Sequence, residues 1–427
     1  MQLRTGILMV AGGTGGHIFP ALAVAEELRA RGERLGFPYE IEFLGTHRPL
    51  EAKLIPAAGF RLRAVDAAGL KGIGGMQKLR NLLVLPRTAI AVAKILREFR
   101  PQVVVGVGGY LAGPVMLEAA LARIPTILIE PNARPGLTNR LLAPFVHAAA
   151  LGFAETANVY GKKAHATGLP VRQAFFEIPP RHHAPPEVAQ ALLPVRGGSQ
   201  PGVAVSPFTV LVVGGSQGSR AINQAMAASL PLLDVAPTFR SAPVDAAPGF
   251  SPALADLKVG ATSGATSDAG PKPSATSAGG IRIVHQTGEH DYNEVRKTYQ
   301  ERHSPAEVYA FIDDMPGALA QADLVISRAG ATAVAELAAA GRAAILIPFP
   351  GATDQHQLEN ARAMERAGAA RVIVQSELTP ERLAGEIREL MANAATLEKM
   401  EVCARSLARP DAAARIADLV EGFVKKS

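Results

Sequence analysis

Ile7–His17 reads ILMVAGGTGGH, and Val210–Arg220 reads VLVVGGSQGSR. Each stretch is an apolar run that ends in glycines and opens into a helical pattern. A run of Val, Ile, Leu and Met without polar alternation is what a strand buried on both faces requires, and such strands belong to parallel sheets. Glycines at the strand end let the backbone turn tightly and approach an anion. The same unit therefore begins twice, once in each half of the chain. The residue-level match between the two is weak, so the repeat is one of architecture.

Working outward, the first half offers further strands at Ile41–Leu44, Val103–Val107, Thr126–Ile129 and Ala148–Leu151. Helical patterns at Ala21–Arg31, Leu79–Glu98 and Pro114–Leu121 fall between them. The second half offers Phe208–Val213, Ile281–His285, Glu307–Ala310, Leu324–Ser327, Ala344–Pro348 and Ala370–Val374, with a helix over Arg220–Leu230. Alternating strands and helices predict doubly wound α/β architecture. The expected plan is two Rossmann-like parallel-sheet domains facing a cleft, residues 1–171 and 172–400. A helical segment at 401–427 is expected to pack back towards the first domain. Pro179–Ser206 and Pro237–Gly280 read as inserts rich in small residues and proline. The second buries too little apolar area to offset its ordering entropy, so a disordered loop is predicted at Ala255–Gly279.

A chain of 427 residues exceeds one ordinary core. The lone cysteine, Cys403, excludes an internal disulfide framework and reads as a small apolar filler in a C-terminal helix. The net charge of +6 attracts nucleotides, anionic lipid or nucleic acid alike. Tryptophan is absent and no basic run is interleaved with aromatics, which counts against base-stacking platforms and a nucleic-acid partner. The N-terminal apolar stretch runs straight into the glycine loop, so it reads as a strand and not a signal peptide. No uninterrupted apolar run is long enough to span a bilayer.

Five motifs carry chemistry. GGTGGH at Gly12–His17 leads from strand to a helix beginning near Ile18, whose first amides favour phosphate. It is not the G-x-G-x-x-G/A dinucleotide fingerprint: counted from Gly13, the sixth position is Ile18. The second strand also ends in Leu44-Gly45-Thr46, without a ribose-binding acid. GVGGYLAGP at Gly106–Pro114 makes a second amide-lined turn suited to a diphosphate. GGSQGSR at Gly214–Arg220 places Ser216 where its hydroxyl can bond phosphate. SRAGATAVAE at Ser327–Glu336 starts a helix of small residues, with Glu336 able to accept two ribose hydroxyls or to serve as a solvated surface charge. ATDQHQLENA at Ala352–Ala361 clusters amides and carboxylates suited to sugar hydroxyls. His356 has no second His or Cys at ligand spacing, so no metal site is expected.

As an ordered set, these motifs resemble the peptidoglycan glycosyltransferases that add N-acetylglucosamine to undecaprenyl-pyrophosphoryl-muramoyl-pentapeptide (lipid I). FLGT at Phe43–Thr46, EPNARPGLTNR at Glu130–Arg140, GLPVR at Gly168–Arg172 and FIDDM at Phe311–Met315 extend the likeness over most of the chain. The resemblance implies the two-Rossmann fold called GT-B, no cofactor, and UDP-N-acetylglucosamine as donor. It implies that the C-terminal domain holds the donor: Ile312 meets uracil through its backbone and Glu336 takes the ribose. Ser216, Ala331, Thr332, Ala333, Val334 and Arg172 face the diphosphate, and His356 and Gln357 read the sugar. Thr14, Gly15, Gly16, Gly108, Gly109, Tyr110 and Asn132 line the acceptor side. The family commonly has Gln where this chain has Pro131 and Leu-Thr where it has Thr332-Ala333, and the Pro237–Gly280 insert lengthens it.

The family forms a β-linkage from an α-linked donor, which implies one in-line displacement with charge building on departing UDP. His17 is the expected base for the acceptor 4-hydroxyl, with phosphate orientation as its other reading and Glu130 as the alternative base. Lys71–Arg100 mixes apolar and basic residues, as an interfacial helix does, although a core helix can read the same way. With the resemblance, this implies a peripheral protein at the cytoplasmic face of the bacterial plasma membrane. An anionic surface and other cell-wall synthesis proteins are then its partners. A UDP-N-acetylglucosamine 2-epimerase, a non-catalytic nucleotide-binding regulator and a nicotinamide oxidoreductase are the rivals, the last disfavoured by the missing fingerprint.

Overall fold

The computed structural model describes residues 5–12, 15–66, 85–181, 207–214, 219–233, 280–302, 304 and 306–424. Both segments read as inserts lie largely outside these residues, as do the predicted loop at Ala255–Gly279, Thr14 and Ser216.

The first domain alternates β1 (Gly6–Val10), α1 (Gly15–Leu35), β2 (Glu40–Gly45), α2 (Pro49–Ala57), β3 (Arg61–Ala64), α3 (Leu85–Phe99), β4 (Val103–Gly106), α4 (Gly109–Leu121), β5 (Thr126–Glu130), α5 (Leu137–Leu142), β6 (Ala148–Leu151), α6 (Ala157–Tyr160) and β7 (Ala164–His165). Its seven parallel strands lie in the order β3-β2-β1-β4-β5-β6-β7. The edge strands β3 and β7 escape sequence reading because they are short and partly exposed, so they lack an apolar run. Side chains alternate across a strand. Ile7 and Met9 of β1 therefore join α1 in one core, while Leu8 and Val10 join α3 and α4 in another. That double burial is why the strand reads as continuously apolar.

The second domain runs β8 (Phe208–Val213), α7 (Arg220–Ser229), β9 (Ile281–Gln286), α8 (Tyr292–Glu301), β10 (Ala306–Tyr309), α9 (Met315–Gln321), β11 (Leu324–Ser327), α10 (Ala331–Ala340), β12 (Ala344–Leu346), α11 (His356–Arg366), β13 (Ala370–Val372), α12 (Pro380–Met391), α13 (Ala394–Leu407) and α14 (Ala412–Val424). Six parallel strands follow the order β10-β9-β8-β11-β12-β13, the pattern of the first sheet. Ser219 caps α7 by accepting a bond from the Ile222 amide. In each sheet the strand order reverses beside the first strand, which is where doubly wound domains bind ligands.

The chain crosses between the domains twice. On the way back, α13 still packs in the second domain through Leu397, Met400 and Ala404, and only α14 returns. The crossing therefore falls at 408–411, later than residue 401. Ile416, Ala417 and Val420 of α14 then complete the first domain's core. Arg31 of α1 fastens α14, donating to Asp418 Oδ1 at 2.6 Å and to the Ala414 carbonyl at 2.9 Å. The outward crossing passes Gly168, whose φ is +80°. A Cβ there would lie 2.4 Å from Arg409 Cβ, so the two crossings touch at a point only glycine allows.

Under the first strands of the second domain, His285 is fully buried on β9. Its Nδ1 lies 2.9 Å from the Tyr299 hydroxyl and its Nε2 3.0 Å from Asn223 Oδ1. Burial holds its pKa down at about 3, so the folded domain keeps it neutral. The unfolded chain takes up that proton as pH falls below 6.5, the ordinary histidine value, so stability is lost from there down towards the folded value. Urea midpoints measured from pH 7 to pH 4 should show that acid limb. His285→Gln should flatten it by about 1.4 kcal/mol per pH unit, and an unchanged slope would show that His285 is not held neutral.

Candidate active site

The C-terminal ends of both sheets open onto one cleft. α1 begins at Gly15, one turn earlier than Ile18, so His17 sits in its first turn. Across the sheet switch point, Gly108 and Gly109 have φ of +97° and +82°. Gly108, with ψ of −163°, lies in a backbone region that essentially only glycine occupies. A Cβ on Gly109 would also lie 3.1 Å from the Gly12 carbonyl and 3.9 Å from His17 Nδ1 and Cε1. The two glycine turns and His17 thus form one wall. Only the backbone of Tyr110, in the first turn of α4, is described.

Two buried carboxylates hold this wall from behind. Glu51 binds the Thr46 amide and hydroxyl, which ties the end of β2 beneath the Gly12 turn. Glu130 is fully buried. Its Oε1 accepts from the Asn132 amide at 2.9 Å and side chain at 3.2 Å, and its Oε2 from Asn139 Nδ2 at 2.7 Å. Burial pushes the Glu130 pKa up to about 7 against the pull of those bonds. That value suits a base, but both oxygens are engaged and closed off from the cleft. The geometry makes Glu130 a positioning residue for Asn132 and Asn139 and corrects its reading as an alternative base.

The second domain supplies the facing wall. α10 meets α1, and Thr332 Oγ1 donates to the Gly16 carbonyl at 3.3 Å. Ala331 and Ala333 stand with it in the first turn, while the Val334 side chain turns into the core. One turn on, Glu336 is half-buried and its pKa rises to about 7 through burial, opposed by the charge of Arg172. Arg172 lies on the outward crossing, with its guanidinium carbon 5.3 Å from the Phe19 ring centroid and 5.0 Å from that of Phe175. It therefore touches α1 of one domain and the first turn of the other.

His356 and Gln357 open α11. Asp354 and Gln355, just before them, both take left-handed backbone conformations at φ of 53° and 55°. Such strain in ordinary residues persists where the surroundings fix it, and here Asp354 Oδ2 accepts from the Leu137 amide of the other domain at 3.1 Å. His356 comes close enough to His17 to lower its pKa. Enclosure of the ring contributes most, His356 adds to it, and together they bring His17 to about 4 although Gly12 and Glu51 oppose. Gln357 does not face the cleft freely: its Oε1 accepts from the Phe349 amide at 3.0 Å. The Ile312 amide is likewise held, by Gln286 Oε1 at 2.9 Å.

The cleft is closed at its base by Asn360, which sequence reading groups with the sugar-facing amides of the 352–361 motif. Its Oδ1 accepts from the Ala133 amide at 2.8 Å, and its Nδ2 donates to Asn132 Oδ1 at 3.2 Å and the Ala329 carbonyl at 3.1 Å. Glu51 and Gln286 lie outside the motifs: Gln286 acts on Ile312, far along the chain, whereas Glu51 acts on Thr46 just before it. The structure thus gathers His17, Gly108, Gly109, Asn132, Arg172, Thr332, Glu336 and His356 at one cleft. Among the described residues, no three of His, Cys, Asp and Glu converge to hold a metal ion.

Two parallel-sheet domains that face one cleft make the GT-B architecture. The chain belongs to glycosyltransferase family 28: residues 7–151 match its N-terminal domain and residues 209–416 its C-terminal domain. It is 38% identical over 415 residues to the UDP-N-acetylglucosamine–N-acetylmuramyl-(pentapeptide) pyrophosphoryl-undecaprenol N-acetylglucosamine transferase of Solibacter usitatus, covering 97% of this chain and 95% of that one. It is 40% identical to the enzyme of that name from Myxococcus xanthus, covering 97% and 91%. The crystal structure of Acinetobacter baumannii MurG aligns over 98% of this chain and 99% of that one, with a TM-score of 0.66 and 28% identity. UDP-GlcNAc 2-epimerase from Neisseria meningitidis bound to UDP-GlcNAc covers 98% and 100%, with a TM-score of 0.58 and 13% identity, which is a likeness of fold alone.

Glu130→Ala should lower stability by about 2–4 kcal/mol, because it strands the buried donors of Asn132 and Asn139. Thermal unfolding run beside turnover checks this; lost turnover with an unmoved unfolding midpoint would restore Glu130 as the base.

Proposed function

We propose that this chain transfers N-acetylglucosamine from UDP-N-acetylglucosamine to the muramoyl sugar of lipid I, yielding lipid II for peptidoglycan synthesis. The observation that carries the reading is the meeting, across one cleft, of the Gly12 and Gly108–Gly109 turns of one domain with α10, Glu336 and His356 of the other. Curated relatives that carry this activity in their names match this chain over nearly its whole length.

In this reading the second domain takes the donor. Glu336 accepts the ribose hydroxyls, Ile312 meets uracil through its backbone, and Gln286 holds that backbone in place. Ser216, the first amides of α10 at Ala331, Thr332, Ala333 and Val334, and Arg172 receive the charge that grows on departing UDP. Those fixed dipoles and one guanidinium supply the electrostatics, so the reading needs neither metal nor cofactor. His356 orients the sugar, while Gln357 fixes the Phe349 loop beneath it. The acceptor diphosphate faces Gly108 and Gly109, and Thr14, Gly15, Gly16 and Tyr110 complete that side.

His17 takes the proton of the 4-hydroxyl as the anomeric carbon is attacked from the face opposite UDP. With a pKa of about 4 in the free protein, it is neutral at working pH and able to accept. The arriving diphosphates bring negative charge, which favours its protonated form and raises its pKa towards the reaction's needs. Labelled sugar should therefore pass to a short-chain lipid I analogue. Its kcat/KM should fall as pH drops through about 7, where Glu336 takes up a proton, and again through about 4, where His17 does, while the His17 limb of kcat lies higher. His17→Ala should cut kcat by about 10²–10⁴-fold with little change in UDP-N-acetylglucosamine affinity; undiminished turnover would remove His17 from the chemistry.

We infer further that the enzyme works while bound peripherally to an anionic membrane face. Among the described residues no helix is long and apolar enough to cross a bilayer. The expected interfacial segment Lys71–Arg100 is described only from residue 85. There α3 and α4 bound an open groove of about 650 Å³, walled by Ala93, Leu96, Leu121 and Ile124 and lined also by two cations, Arg97 and Arg100, and one carboxylate, Glu118. Apolar walls with a net positive lining suit acidic headgroups. The protein should float with anionic liposomes at low salt and be released at high salt; sedimentation away from them at low salt would overturn peripheral binding.

A further inference from the structure

We propose that the outer face of α5 is the track along which the polyprenyl chain of the acceptor leaves the cleft, an assignment that rests on the transferase reading above. Leu137, Leu141 and Phe145 stand at i, i+4 and i+8 on this helix and the turn that continues it, and they are 46%, 65% and 49% exposed. Leu137 and Leu141, four apart, share one face of the six-residue helix, and Phe145 follows in the turn beyond it. An exposed apolar stripe beside a binding cleft calls for an apolar ligand.

The helix's other face shows which ligand. Asn139 lies under the acceptor loop: its side-chain atoms come within 3.2–3.6 Å of where a Cβ on Gly108 would be. The Thr138 methyl comes within 3.2 Å of the same position on Gly113. Leu137, the first residue of the helix, gives its amide to Asp354 at the cleft mouth. The inner face of α5 is thus part of the wall that faces the acceptor diphosphate, and the stripe starts where the esterified end of that diphosphate must emerge. Residues 133–147 carry Arg134 and Arg140, both exposed, and no acidic side chain. A stripe that is apolar along its length, basic beside it and continuous with a diphosphate loop matches a prenyl diphosphate at both ends. The stripe is separate from the α3–α4 groove, so tail binding and headgroup binding occupy different surfaces.

The test is the double variant Leu141→Ser/Phe145→Ser, assayed in detergent with a full-length undecaprenyl acceptor and with a short-chain, water-soluble one. The KM for the long-chain acceptor should rise about tenfold, equivalent to about 1.4 kcal/mol. The KM values for the short-chain acceptor and for UDP-N-acetylglucosamine should stay within about twofold of wild type. Equal effects on both acceptors, or none on either, would overturn the track. So would a wild-type dimer in solution that the substitutions dissolve, because the stripe would then be a contact between copies. Wild-type protein inactive on both acceptors would instead refute the transferase reading, and this proposal with it.

Discussion

The arrangement of the cleft depends on Asn360. One fully buried amide side chain accepts from the Ala133 amide, donates to Asn132 and also donates to Ala329 of its own domain. A buried backbone N–H without a partner is costly, so the Ala133 amide ties the first domain to this side chain. Glu130 fixes Asn132 from the other side. The chain of bonds runs from β5 through Asn132 to α11, and His356 opens that same helix. The separation of His17 and His356 follows from it.

Electrostatics inside the cleft is shaped for an anionic visitor. His17 is held neutral, Glu336 is pushed towards neutrality by burial, and Arg172 leans on two aromatic rings between the domains. Desolvation penalises the charged form of each titratable group. The free site therefore keeps its histidine uncharged. Backbone amides at the glycine turns and helix starts keep their dipoles regardless of pH.

The outer surfaces divide the remaining work. α14 leaves the second domain and completes the first domain's core, fastened by Arg31, so the domains are linked by two crossings that touch at Gly168 and Arg409. Two adjacent strands of chain restrict relative motion more than one would. The groove between α3 and α4 and the apolar stripe on α5 sit on the first domain alone.

The sequence by itself determined the architecture. Ile7–Val10 and Val210–Val213 are apolar without alternation because both their faces are covered, and the glycines that follow announce the turns. Gly108, Gly109, His17 and His356 could be singled out because each sits at a strand end or helix start, where backbone geometry alone creates an anion-facing position, while Glu336, inside α10, stood out only through its motif. Only the tertiary structure decided how such positions are used. Glu130 read as a possible base, but its two oxygens are occupied by Asn132 and Asn139, and Gln357 gives its side-chain oxygen to the Phe349 amide. Asn360 read as one of several sugar-facing amides, and Gln286 stood in no motif; both gain their structural roles from partners that folding brings from far along the chain. The edge strands β3 and β7 were invisible for the converse reason: half-exposed and short, they owe their conformation to the sheet they join.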